Sequence, residues 1–86
     1  MKCFICKRQG YTEEHHIFGG ANRKKSERDG LKVDLCMDCH RTGKHAVHND
    51  AEVMLKLHRY GQKLYMAQHN CTTEEFIKIY GKNYEE

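Results

Sequence analysis

Two tight cysteine pairs, Cys3-x-x-Cys6 and Cys36-x-x-Cys39, with 29 residues between Cys6 and Cys36, constrain the fold of this chain more than any other feature. A chain of 86 residues buries only about 60–65% of the surface it exposes when unfolded, so a hydrophobic core alone leaves it marginal. Two such pairs can bring four thiolates to one tetrahedral zinc ion, and binding then contributes folding free energy directly. Paired disulfides are the competing reading. Against them stand the two-residue spacing, the odd cysteine Cys71, and the lack of an apolar signal segment after Met1. A reducing cytoplasm is the expected home. No stretch approaches the roughly 18–20 apolar residues of a membrane span, so no membrane partner is expected.

The pattern along the chain predicts an α+β fold. Residues 1–9 form the first zinc knuckle, and Gly10 turns the chain away. Residues 11–18 are short and extended, ending in His15-His16-Ile17-Phe18 before Gly19-Gly20. Residues 21–30 are polar and basic without apolar periodicity, which predicts a loop with at most one helical turn. Leu31-Lys32-Val33-Asp34-Leu35 alternates apolar and polar residues, as expected of a half-buried strand antiparallel to the histidine strand. Cys36 to Thr42 turns into a short helix that Gly43 ends. Asn49-x-x-Glu52 reads as a capping box opening a helix whose apolar face carries Ala51, Met54, Leu55, His58, Gly61, Leu64 and Tyr65. Thr72-x-x-Glu75 opens a last helix that stops at Gly81. One domain over residues 1–86 is expected, with a zinc-stapled module in 1–48 and a helical extension in 49–86.

The histidines bear on chemistry. His15 and His16 end one strand and His40 starts a helix, so this set could hold one divalent cation and leave one imidazole free. Neutral imidazole suits a general base, because its ordinary pKa of about 6.5 leaves much of it unprotonated at pH 7. His48 is a candidate third ligand, with packing or capping as its alternative; His45 is a weaker candidate. His58 reads as a core histidine, Cys71 as a passive thiol, and Glu13 and Glu14 as solvent-facing unless they lie within reach of a ligand. Two imidazoles do not complete a coordination sphere, so waters and phosphate oxygens would fill it. Imidazole favours transition ions and oxygen ligands favour magnesium, leaving Mg²⁺, Mn²⁺ and Ni²⁺ as candidates. The net charge of +3 says little, but Arg23, Lys24, Lys25 and Arg28 cluster between the two motifs. Such a run suits a phosphodiester partner, although a merely solvated face has the same composition.

Taken together, the paired knuckles and the histidines over about residues 3–48 resemble the HNH endonuclease family. The resemblance implies a ββα-metal module, structural Zn²⁺ on Cys3, Cys6, Cys36 and Cys39, a catalytic divalent cation on His15 and His40, and His16 as general base. It implies hydrolysis of DNA to 5′-phosphate and 3′-hydroxyl ends. His15-His16-Ile17-Phe18-Gly19-Gly20-Ala21, with the segment from Phe76 to Tyr84, also looks like small HNH-type proteins of prophages, which implies the cytoplasm of a host bacterium. The family's middle asparagine is the departure: Asp29-Gly30-Leu31 occupies its window, with Asp29 the nearest polar candidate. The alternative functions are a catalytically silent, zinc-stabilised nucleic-acid-binding module and a phage interaction protein that docks a phage or host partner through its last two helices. An exposed seam of Met54, Leu57, Leu64 and Met66 would support the latter.

Overall fold

In the computed structural model, which describes residues 1–85, the strand alternation produces the expected ribbon. Strand β1 (Glu13–His16) pairs antiparallel with β2 (Lys32–Leu35), setting His15 opposite Val33 and His16 opposite Lys32. Val33 and Leu35 face the core while Lys32 and Asp34 stay half-buried, which is the period of two that the sequence carries. One further rung extends the ribbon, Ile17 N–H donating to the Leu31 carbonyl at 2.9 Å. The first knuckle is tied on by Phe4 N–H, which donates to the Asp34 carbonyl at 2.8 Å.

The connection between the strands is more ordered than expected. A single 3₁₀ turn at Gly20–Asn22 leads into helix α1 (Arg23–Arg28). Good helix formers fill this segment, but Ser26 alone is buried, so no apolar period marks it. Ser26 has a structural task instead: its hydroxyl donates to the Leu31 carbonyl at 2.6 Å and accepts from Phe18 N–H at 3.3 Å, bracing both ends of the connection.

After β2, a wide helical turn spans Asp38–Thr42. Gly43 ends it, as expected, and its N–H donates to the Asp38 carbonyl at 2.9 Å. A Cβ there would lie 2.5 Å from that oxygen, so only glycine permits this closure. The chain then folds back through the buried Ala46 and Val47, with Val47 N–H donating to the Cys39 carbonyl at 2.8 Å. This return brings the segment up to His48 against the ribbon.

Helix α2 (Ala51–His69) starts one residue later than the expected cap. Asp50, not Asn49, accepts from Glu52 N–H and Val53 N–H, at 3.0 and 3.4 Å. Asn49 is needed as a donor: its amide bonds the carbonyls of Arg41 at 2.6 Å and Gly43 at 3.0 Å, which a carboxylate could not do. Helix α3 (Thr73–Tyr80) carries the predicted capping box with both halves formed, and it ends at Gly81.

The buried face of α2 is Leu57, Gly61, Gln62 and Tyr65, while Ala51 and Leu55 are exposed, so the face is rotated from the expected one. Buried Gln62 explains part of the difference. Its amide donates to Asn83 Oδ1 at 2.9 Å and its carbonyl accepts from Tyr84 N–H at 2.7 Å, anchoring the segment after α3. Phe18 sits at the centre of the core, its ring 4.7 Å from Tyr80, 5.3 Å from His58 and 5.8 Å from Phe76. Leu57 is buried, and Met54, Leu64 and Met66 pack partly buried against the same core, so the seam proposed for docking is largely used internally. Among the described residues no helix is long and apolar enough to cross a membrane.

Candidate metal centres

The four knuckle cysteines converge, with Sγ atoms of Cys3, Cys6, Cys36 and Cys39 all within 4.8 Å of one another. All are free thiols. Cys6 and Cys36 Sγ lie 3.7 Å apart, which matches the edge of about 3.8 Å that tetrahedral geometry gives for Zn–S bonds of about 2.3 Å. Burial pushes the Cys3 thiol up, but hydrogen bonds from the backbone of Cys36, Cys6 and Ile5 overcome it and bring the pKa down to about 6. Cys39 is driven the other way by burial and by its three cysteine neighbours. Four thiols crowded around one point, with amides aimed at one sulfur, form a cluster able to hold a metal ion such as zinc.

A second cluster forms on the ribbon. One ring nitrogen each from His15, His40 and His48 lies within 4.8 Å of the others. Strand alternation turns His15 inward, the turn after the second knuckle supplies His40, and the Gly43 return supplies His48. His45, the weaker candidate, bonds Asp50 through Nδ1 at 2.8 Å and stands outside the cluster.

Three observations fit this cluster to a cation. First, His15 Nε2 is buried without a hydrogen-bond partner, a costly state for a polar atom that a ligated metal would relieve. Second, His40 Nδ1 donates to Glu13 Oε1 at 2.7 Å, which fixes the tautomer that leaves Nε2 bare, the arrangement of metal-bound imidazoles. Third, His40 Nε2 and His48 Nε2 face each other at 3.1 Å; two nitrogens bound at about 2.1 Å to one ion would be roughly 3.0–3.4 Å apart. Burial, then the neighbouring imidazoles of His40 and His48, hold the His15 pKa down at about 4, so at pH 7 it is neutral as a ligand must be. Burial, then the neighbouring His40 and Arg41, lowers His48 as well. Glu13 is held below the usual carboxylate range first by the His40 hydrogen bond and then by Arg41. Glu13, expected to face solvent unless within reach of a ligand, is instead the hydrogen-bond partner of His40 and Arg41.

His16 takes no part in that cluster. Its Nε2 lies 2.9 Å from Glu27 Oε1, and its ring stands between two clefts, one shared with His15 and His48, the other lined by Gly20, Arg23, Lys24 and Glu27. Asp29, the candidate for the missing asparagine, is occupied elsewhere, accepting from Tyr80 Oη at 2.7 Å and from Arg28 at 3.0 Å. Ser26 braces the two ends of the connection between the strands, and Glu27 is the hydrogen-bond partner of the His16 ring.

The basic run divides. Arg23 and Lys24 are exposed beside His16. Lys25 points inward and donates to the Ile79 carbonyl at 2.7 Å, tying α1 to the end of α3, and Arg28 forms a fork with Asp29. Among the aromatics, Tyr65 and Tyr80 are core residues, and His58 stacks on Phe18. Comparison with protein-family models, curated proteins and solved structures finds no match to this chain.

Proposed function

We propose that the protein is a metal-dependent endonuclease that hydrolyses DNA phosphodiester bonds, of the HNH type its sequence resembles. The observation that carries this reading is the convergence of His15, His40 and His48 around the orphaned His15 nitrogen, beside a fourth imidazole that is not a ligand. A divalent cation held by these three imidazoles would supply positive charge against the negative charge that builds on the phosphoryl oxygens. Mg²⁺, Mn²⁺ and Ni²⁺ are the ions to test.

His16 is the base in this reading. It takes a proton from water as the water oxygen bonds to phosphorus and the bond from phosphorus to O3′ breaks; O3′ leaves with the electron pair and is protonated by solvent. The products carry 5′-phosphate and 3′-hydroxyl ends. Arg23 and Lys24 hold flanking phosphates, which positions DNA without selecting sequence. The prophage resemblance supports the cytoplasm of a bacterial host as the setting of this activity.

Supercoiled plasmid tests the proposal, with zinc-loaded wild type and His16→Ala compared in each metal and folding checked by circular dichroism. Wild type is expected to nick in a metal-dependent way, and the folded variant to be at least about 100-fold slower, the ordinary contribution of a general base. The absence of asparagine from the window at Asp29-Gly30-Leu31 favours a second reading, a silent zinc-stabilised binding module. Plasmid binding without cutting in any metal would establish that reading in place of the first.

A further inference from the structure

An imidazole accepts a proton at one ring nitrogen only in the tautomer that leaves that nitrogen bare, and the partner of the other nitrogen decides which tautomer that is. Strand alternation puts Glu14 and His16 on the face of β1 opposite Glu13 and His15. The antiparallel register sets Lys32 directly across from His16. Helix α1 then brings Glu27 to the same place. Glu27 Oε1 lies 2.9 Å from His16 Nε2, Lys32 Nζ donates to Glu27 Oε2 at 2.8 Å, and the same ammonium is 3.3 Å from Glu14 Oε2.

We infer that Glu27 is a positioning residue for His16, accepting the proton-bearing Nε2 and so leaving Nδ1 bare, and that Lys32 in turn aims Glu27. The inference rests on the proposed role of His16 as base. An ionised carboxylate has no proton to donate, so a neutral imidazole bonded to it must carry its hydrogen on the facing nitrogen. Glu27 stays ionised: the hydrogen bond from Lys32, then that from His16, holds its carboxyl below the usual range. The His16 side chain is 11% exposed, so packing also limits ring rotation. Glu14, His16 and Glu27 lie close enough to ligate a cation, but the Lys32 ammonium already bridges the two carboxylates. That corner is a hydrogen-bonded support for the base.

The Glu27 side chain is 55% exposed, so its replacement should leave the fold intact. Two measurements test its role. The first reads the His16 ring tautomer directly, from long-range proton–nitrogen correlation spectra of zinc-loaded protein at about pH 8.5, where an ordinary imidazole is neutral. Wild type should show hydrogen on Nε2, Glu27→Ala a mixture of tautomers, and Glu27→Gln, whose amide oxygen still accepts, the wild-type form. The second is plasmid nicking. Glu27→Ala should lower kcat by about 10- to 100-fold with KM little changed, Glu27→Gln should recover most of it, and Glu27→Ala should cost nothing further when added to His16→Ala. Hydrogen on Nδ1 in wild type, a tautomer unmoved by Glu27→Ala, or an added loss in the His16→Ala background would overturn the inference. The spectra report on Glu27 even in a protein that does not cut, so failure of the inference and failure of the nuclease reading are distinguishable.

Discussion

Replacing Gly61 by alanine sets two known effects against each other at the support of the site. Gly61 lies inside α2, where alanine is favoured over glycine by about 0.8–1.0 kcal/mol of helix propensity. A Cβ at this position, however, would lie 2.6 Å from Ile17 Cγ2, 3.0 Å from Phe18 Cε2 and 3.2 Å from Phe18 Cζ. Neither neighbour can give easily. Ile17 and Phe18 are each 1% exposed, the Ile17 methyl is attached at its own Cβ, and the Phe18 ring is enclosed by Tyr80, His58, Phe76 and Tyr84. Overpacking of this kind costs roughly 1–3 kcal/mol. The packing term should win, leaving Gly61→Ala about 1 kcal/mol less stable than wild type, or lower in Tm by about 4–8 °C for a chain of this size. Thermal or urea unfolding, with zinc saturating in both samples, measures the difference. A variant more stable by about 1 kcal/mol, as helix propensity alone requires, would refute the close packing of α2 on the end of β1. Because Ile17 follows His16, the same variant should also nick plasmid more slowly than its stability explains.

Cys36→Ser should lose zinc and much of the fold together, visible as parallel loss of bound metal and of helical circular dichroism, because the thiolates are part of the folding free energy. Charge removal at Arg23 or Lys24 should reduce the salt dependence of DNA binding by roughly one unit of slope each, whereas Lys25→Met should leave the slope unchanged and lower stability, since Lys25 is bonded to the Ile79 carbonyl. In protein with zinc on the cysteines and no second metal, the folded-state pKa of His15 is depressed to about 4 from its ordinary 6.5. The unfolded chain therefore binds the proton first, and the stability present above pH 6.5 should fall as the pH drops toward 4; His15→Gln should flatten that part of a urea-unfolding pH series.

The elements most legible in the sequence are those whose signals are local. Alternation at 31–35, the two-residue cysteine spacing and the Thr72-x-x-Glu75 box each follow from chemistry within a few residues, and each forms as expected. Helix α1 escaped because its only buried side chain is Ser26, so it has no apolar period to read. Neighbouring Asn49 and Asp50 are both good caps, and only the approach of the Arg41 and Gly43 carbonyls, which need a donor, decides which one is spent elsewhere. The site divides the same way. His15, His16 and His40 are marked by their places on the ribbon and after the knuckle. His48 arrives through the Gly43 return and Glu27 through α1, long-range closures that spacing does not encode; Glu13 is a strand charge whose partner, His40, lies 27 residues away in sequence.

The proposed function requires two separate metal sites with different tasks, one on the four cysteines and one on the three histidines. Titration of Ni²⁺ into zinc-loaded protein, followed by calorimetry for wild type and His48→Ala, tests it most directly. Wild type is expected to take up a second, exchangeable equivalent of metal that is weakened or lost in His48→Ala, while the zinc content of both stays at one. A single metal per chain in wild type, or a second equivalent that His48→Ala binds equally well, would contradict it.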